Sequence, residues 1–312
     1  MNMTKTILPR LASIAAICAV ALAPAFRFSK LRPESRSCAQ SLAPQVPTSL
    51  SPSDYQTAEE VRVIGWLRTI EETKAAKTVD THLIRPLLDD VTTRTLAVEG
   101  LEVTEEQFPE LNAIVMSCVH ILHLERKPRV FISEKAQLPM ITENCVEPVI
   151  VVEASVLTRF RDPPELRFLI GRELGHIQAG HVRWLSLIRQ IQTLPSEIAL
   201  FSGADTSPIL LPLMHFAKGC EMTADNAGLI CAQDRNAAER VLVQLATGID
   251  GTSCGGINIE AYLKQTQTEK LSDSSELVVL WRGLRDPVPF APDRIRQLRQ
   301  YHASAKFRAL WK

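Results

Sequence analysis

The sequence is short of three things, and each shortage removes a class of function. Aromatic residues make up only 5% of the 312, too few for the stacking platforms that bases and sugars need. Neither sign of charge is in excess, with 35 Lys and Arg against 35 Asp and Glu, so the chain has no surplus of cations with which to neutralise a polyanion and nucleic acid is excluded as a partner. The seven cysteines (Cys18, Cys38, Cys118, Cys145, Cys220, Cys231 and Cys254) form no C-x-x-C pair. That spacing supports neither a cysteine-based zinc site nor a disulfide scaffold, and leaves most of them as small buried hydrophobes, with room for one incidental pair. Apolar material is not short: 46% of residues are hydrophobic, beside only 13 Gly and 19 Pro, which is enough for a core and excludes disorder for most of the chain.

The amino terminus has no acidic residue before Glu34, and Lys5 and Arg10 lead into the apolar stretch Leu11 to Phe26. Its 16 residues fall below the ~20 of a membrane-spanning helix. Residues 1–36 are expected to be a signal-like or anchor segment, making the protein exported or membrane-anchored. Arg27, Lys30, Arg32 and Arg36 follow the apolar run, and Pro24 follows the A-x-A at Ala21 to Ala23; this layout also fits an organelle transit peptide. Residues 37–54 read as a Pro/Ser linker and 55–312 as the folded domain.

Within that body, Leu111, Ile114, Val115, Cys118, Val119 and Leu122 recur at the spacing of one helix face, with Pro128 ending the run. Two short β-branched runs, Arg129 to Ser133 and Pro148 to Glu153, read as strands. Pro163-Pro164-Glu165 then opens a helix, since Pro is tolerated in a first turn and an early Glu suits the positive end of the helix dipole; the helix is expected to run through to Trp184. Helical text continues nearly to the end, broken at Ser202 to Pro208, Gly248 to Gly256 and Asp286 to Pro292. The order predicts a helix-dominated α+β fold with a small sheet.

The chemistry is concentrated in Gly171-Arg172-Glu173-Leu174-Gly175-His176. It resembles the zinc-protease helix H-E-x-x-H, with Arg172 where the first His belongs. Two His one turn apart, about 40° around the helix, bind one Zn²⁺ in the intact motif, and the Glu beside the first is the base for metal-bound water. Glu221 and Asp225 follow 45 residues after His176 as E-x-x-x-D, both carboxylates on one helix face. Gly171 and Gly175 on the first helix, and Ala217, Ala224, Gly228 and Cys231 on the second, are small residues at helical spacing that let two helices approach closely.

The ordered set EPVIVVEASVL, PPELRFLIGRELGHIQAGH, CEMTADNAGL and PDRIRQL, spanning roughly Leu111 to Tyr301, resembles metallopeptidase family forty-eight. These are the gluzincin zinc peptidases that include HtpX-like heat-shock proteases and CAAX prenyl endopeptidases. The resemblance implies zinc as cofactor, His176 and Glu221 as ligands, Glu173 as catalytic base and Asp225 as the group that orients a ligand. It also implies a peptide or unfolded protein substrate paired with Pro148 to Glu153 as the edge strand of the active site.

Arg172 departs from that pattern at the position that matters most. A guanidinium has no lone pair to give a metal and stays protonated, so the site keeps two ligands where a catalytic zinc needs three. The expectation is an Arg172–Glu221 ion pair in place of the zinc bridge, with hydrolysis impaired or lost; the alternative is an active endopeptidase with a non-standard ligand set and Glu173 as base. His181, about 140° from His176 on a continuous helix, is expected to face away. His215, His120 and His123 are weaker still, and no second E-x-x-H accompanies Glu173-x-x-His176 to make a di-iron site. Lys218 stands where the family usually has Arg, and Asp286 to Pro289 where it commonly has His-Pro. From Asp293 to the end the chain is basic and reads as a solvated amphipathic helix with Ile295, Leu298 and His302 on one face.

Overall fold

The strand text fixes a layer of sheet and the helical text covers it. In the computed structural model, residues 44–71, 96–134, 140–143, 147–193, 207–249, 256–268 and 286–311 are described. The chain divides between Ala43 and Pro44, so the signal-like or anchor segment lies outside the described residues. Among those described, no helix is long and apolar enough to cross a membrane. The part of the predicted linker that is described rests against the body: Gln45 and Gln233 bond reciprocally, Pro47 O meets His123 Nε2 at 2.8 Å, and Asp54 O accepts from the Tyr301 hydroxyl.

Helix α1 (Ala58–Glu71) precedes β1 (Leu101–Glu102), α2 (Pro109–Ile121), β2 (Arg129–Ser133), β3 (Met140–Glu143) and β4 (Val149–Glu153). Then come α3 (Val156–Arg159), α4 (Pro163–Gln178), α5 (Val182–Thr193), α6 (Ser207–Ala232), α7 (Arg235–Thr247), α8 (Ile259–Thr268), α9 (Ala291–His302) and α10 (Ala305–Ala309). The fold is the helix-dominated α+β arrangement the sequence predicts, with one four-stranded sheet. Helix α2 buries Leu111, Val115, Cys118 and Val119, as its apolar spacing requires.

The sheet order is β1-β2-β4-β3, with β4 parallel to β2 and antiparallel to β3. This corrects the sequence reading: Pro148 to Glu153 does not form an edge. Val149, Ile150, Val151 and Val152 are all buried, as expected of a strand paired on both sides and covered on both faces. Among the described strands the edges are β1 and β3, and β3, next to β4, has its residues Met140 and Ile141 buried. Val130, Ile132, Ile150 and Val152 point into the main core with α2 and α4, while Phe131, Ile141, Val149 and Val151 form a smaller cluster with Leu96 on the other face. Thr142, opposite Ile150 in register, therefore shares the helix-facing side.

Helices α4 and α6 make the most extensive contact in the fold, and small residues permit it. A Cβ on Gly175 would stand 2.5 Å from Ala227 Cβ, and one on Gly171 would stand 2.7 Å from Cys231 Cβ. Neither contact is tolerable without separating the helices. Helix α4 ends at Gln178, because Gly180 adopts φ +74, a left-handed turn that glycine enters at low cost. The predicted continuous helix is thus two, and His181 lies in the turn between α4 and α5. The basic carboxyl-terminal stretch is likewise two helices, broken before Ser304, which caps α10. Its first half is packed, not solvated: Arg294, Ile295, Leu298 and Tyr301 are buried.

Candidate functional site

Arg172, Glu173 and His176 occupy one stretch of α4 in which nearly every side chain is buried. Glu221 and Asp225, one turn apart on α6, face them. Arg172 Nη2 donates to Glu221 Oε2, and Arg172 Nε donates to Asp225 Oδ1 at 2.7 Å. The ion pair expected from the sequence is therefore present, extended to a second carboxylate. Arg294 of α9 closes the group with a fork, Nε to Asp225 Oδ2 at 2.8 Å and Nη2 to Oδ1 at 2.7 Å. Burial works against the charge on Arg172, but Asp225, Glu221 and Glu173 outweigh it and raise its pKa, so the guanidinium is a permanent cation.

Glu173 points to the sheet edge, where Thr142 Oγ1 donates to its Oε2 at 2.8 Å. Burial pushes the Glu173 carboxyl up to about 7, against the pull of Arg172 and the Thr142 bond. His176 Nε2 lies 3.6 Å from Glu221 Oε1. Burial, then His181 and Arg172, drive its pKa well below the usual value and keep the ring neutral. A cavity of about 220 Å³ opens on these groups, with Thr142, Arg172, Glu173, His176, Glu221 and Arg294 in its wall. Leu169, Val182 and Leu185 supply an apolar side.

All five sequence-predicted positions, Arg172, Glu173, His176, Glu221 and Asp225, thus converge. Three residues of the same environment had no role in the sequence reading. Arg294 was assigned to a solvated face. Thr142 lies on a strand with only four residues and no long β-branched run. His181 was expected to face away, yet its Nδ1 lies 3.0 Å from His176 Nδ1; Gly180, read as a helix stop, was the signal that it leaves the helix. His215 and His120 are exposed, and His123 turns to Pro47. Where the family commonly has His-Pro, Asp286 is exposed and accepts from Val288 N, while Val288 and Pro289 line the cavity with apolar surface.

The donors do not fit a catalytic zinc: His176 and Glu221 could offer at most two ligands, the Arg172 guanidinium beside them cannot ligate a metal and already occupies Glu221 Oε2, and among the described residues no group of three or more His, Cys, Asp or Glu side chains is arranged for a metal ion.

Two close-packed helices that set E-x-x-H against E-x-x-x-D, beside a sheet whose edge strand borders the cavity, define a metallopeptidase scaffold. The model of peptidase family M48 matches residues 106–302, and the chain belongs to that family, whose members are zinc-dependent peptidases. It is also similar to the plastoglobule-localized metallopeptidase 48, chloroplastic, of Arabidopsis thaliana, with 24% identity over 240 residues, covering 73% of this chain and 68% of that protein. No solved structure matches the chain.

Proposed function

We propose that this chain is a metallopeptidase-family protein in which the Arg172 ion network takes the structural place of zinc, so that it binds peptide segments without hydrolysing them by the zinc route. The observation that carries the proposal is the pairing of Arg172 with both Glu221 and Asp225. It consumes one would-be ligand and leaves a fixed positive charge beside the metal position, where a dication would be repelled. The peptide or unfolded protein would lie along β3, the strand that borders the cavity, in place of the Pro148 to Glu153 strand. Such a protein serves as a scaffold, a chaperone-like binder or an inhibitor of active relatives.

One observation favours the second reading, an active endopeptidase with an unorthodox ligand set: Glu173, the residue the family uses as base, is retained, buried and held by Thr142. Elemental analysis and casein-type cleavage of wild type, Arg172→His and Glu173→Gln separate the two. The expected result is wild type without stoichiometric zinc and without chelator-sensitive cleavage, and Arg172→His with zinc. One equivalent of zinc in wild type, with cleavage that needs Glu173, establishes the second reading instead. The amino-terminal segment is proposed to carry the chain into or across a membrane. The chloroplast named for the Arabidopsis relative favours the transit-peptide form of that reading.

A further inference from the structure

The cavity beside Glu173 has two unlike sides. On the polar side the ions hold one another: Arg172 pairs with Glu221 and Asp225, and Arg294 with Asp225. Glu173 is held by Thr142, and Arg189 Nη2 lies 3.1 Å from Ser186 Oγ. The apolar side is built by three segments that meet there: Val182 and Leu185 of α5, Leu245 near the end of α7, and Val288 and Pro289 just before α9. Val288 is 40% exposed, so an incoming group can reach it. Apolar surface continues next to these segments, because Phe290 and Ile249 are exposed as well.

We infer that this apolar wall determines specificity: it takes one large apolar side chain, of the leucine or phenylalanine kind, from a peptide paired with β3, and Val288 is its accessible face. The inference rests on the peptide-binding reading above and adds which peptides are bound. A large apolar side chain gains from the area it removes from water, whereas a charged one seated against Val182, Leu185 and Val288 loses its hydration for no new partner. The volume of about 220 Å³ has room for a side chain and not for a folded domain.

Strand geometry says which peptide residue is read. Residues directly opposite in neighbouring strands send their side chains to the same face, and successive residues alternate between faces. Thr142 faces the helices, bonds Glu173 and lines the cavity. The peptide residue opposite Thr142 is therefore the one that enters, and the residues immediately before and after it point to the other face. The stretch that contributes Val288 is also where the family commonly has His-Pro. Here Asp286 is turned to Val288 N at 2.9 Å. Where a histidine would offer a hydrogen-bonding ring, Val288 offers a branched apolar side chain.

The test is fluorescence anisotropy of the full chain, in chelator, with fluorescein-labelled threonine-rich peptides that differ in one central residue. The expected order is Leu and Phe tightest, Ala weaker by about tenfold or more, and Asp and Lys weaker still. With Leu kept at the centre, replacing the neighbouring Thr by Asp should leave affinity within about threefold, since that side chain points to the other face. Val288→Lys, at an exposed position, should weaken the Leu peptide by about tenfold and remove its advantage over the Asp peptide. Peptides that bind alike whatever the central residue overturn the inference and leave the peptide-binding reading standing, as does a folded Val288→Lys protein that keeps the wild-type order. If no peptide of the series binds, both fall. The wild-type series decides the matter alone if the variant does not fold.

Discussion

Two arginine–carboxylate forks in this protein have nearly the same geometry and opposite surroundings. Arg294 meets Asp225 at 2.8 and 2.7 Å, with side chains 6% and 0% exposed. Arg129 meets Glu102 at 2.9 and 2.8 Å, with side chains 45% and 33% exposed. The outer fork ties β1 to β2 across the sheet, and water competes for every one of its atoms. The inner fork belongs to a group of two guanidiniums and two carboxylates, all buried except the half-buried Glu221, in which each charge depends on the others. Distance therefore says little about what a pair contributes. What decides is the cost of stranding the partner that remains.

The largest expected effect is at Arg172. Arg172→Ala leaves Glu221 without its main partner and Asp225 with Arg294 alone, and should lower stability by roughly 3–5 kcal/mol in urea unfolding. A loss below about 1 kcal/mol, the size of a surface pair, would erase the contrast between the two forks.

Next in size is the pH dependence set by Glu173. Its carboxyl is pushed up from an ordinary 4.5 to about 7 in the folded protein, so between those values the folded state holds a proton that the unfolded state has lost. Stability is accordingly fully present below about pH 4.5 and falls as pH rises through 7, by up to about 3 kcal/mol over the window. Glu173→Gln should flatten this slope in unfolding curves taken from pH 5 to 8, and an unchanged slope would assign it to another group.

The smallest effect belongs to the outer fork. The Arg129 hydrogen bond holds the Glu102 carboxyl below the usual range, yet Arg129→Ala should cost at most about 1 kcal/mol, and less as salt screens the pair. A salt-insensitive loss as large as that at Arg172 would show that exposure does not separate the two forks.

Much of this was legible in the residue order. The spacing of Leu111, Val115, Cys118 and Val119 wrote a helix face, the β-branched runs wrote β2 and β4, and Pro163-Pro164 wrote the start of α4. The small residues Gly171, Gly175 and Gly228 announced two helices in contact. Other features were written but read wrongly. The uninterrupted Val149 to Val152 is the signature of an interior strand, and Gly180 is a helix stop. Glu60 of α1 left no trace: its contact with His181, 3.0 Å from Oε1 to Nε2, joins residues far apart in sequence, and no local periodicity reports such a contact.

By itself the sequence determined the family and the helix-dominated fold, and it set the expectation that Arg172 stands at the family's first zinc-ligand position, because these depend on residue type and on spacing along single helices. Only the tertiary structure decided what its guanidinium does. Whether Arg172 points to solvent or is clamped by Glu221, Asp225 and the reach of Arg294 is set by how α4, α6 and α9 pack. The same packing decides that β3 is the sheet edge beside the cavity and that α1 reaches His176 through His181. Such contacts arise from close approach and exclusion of water between distant segments, which no local stretch of sequence encodes.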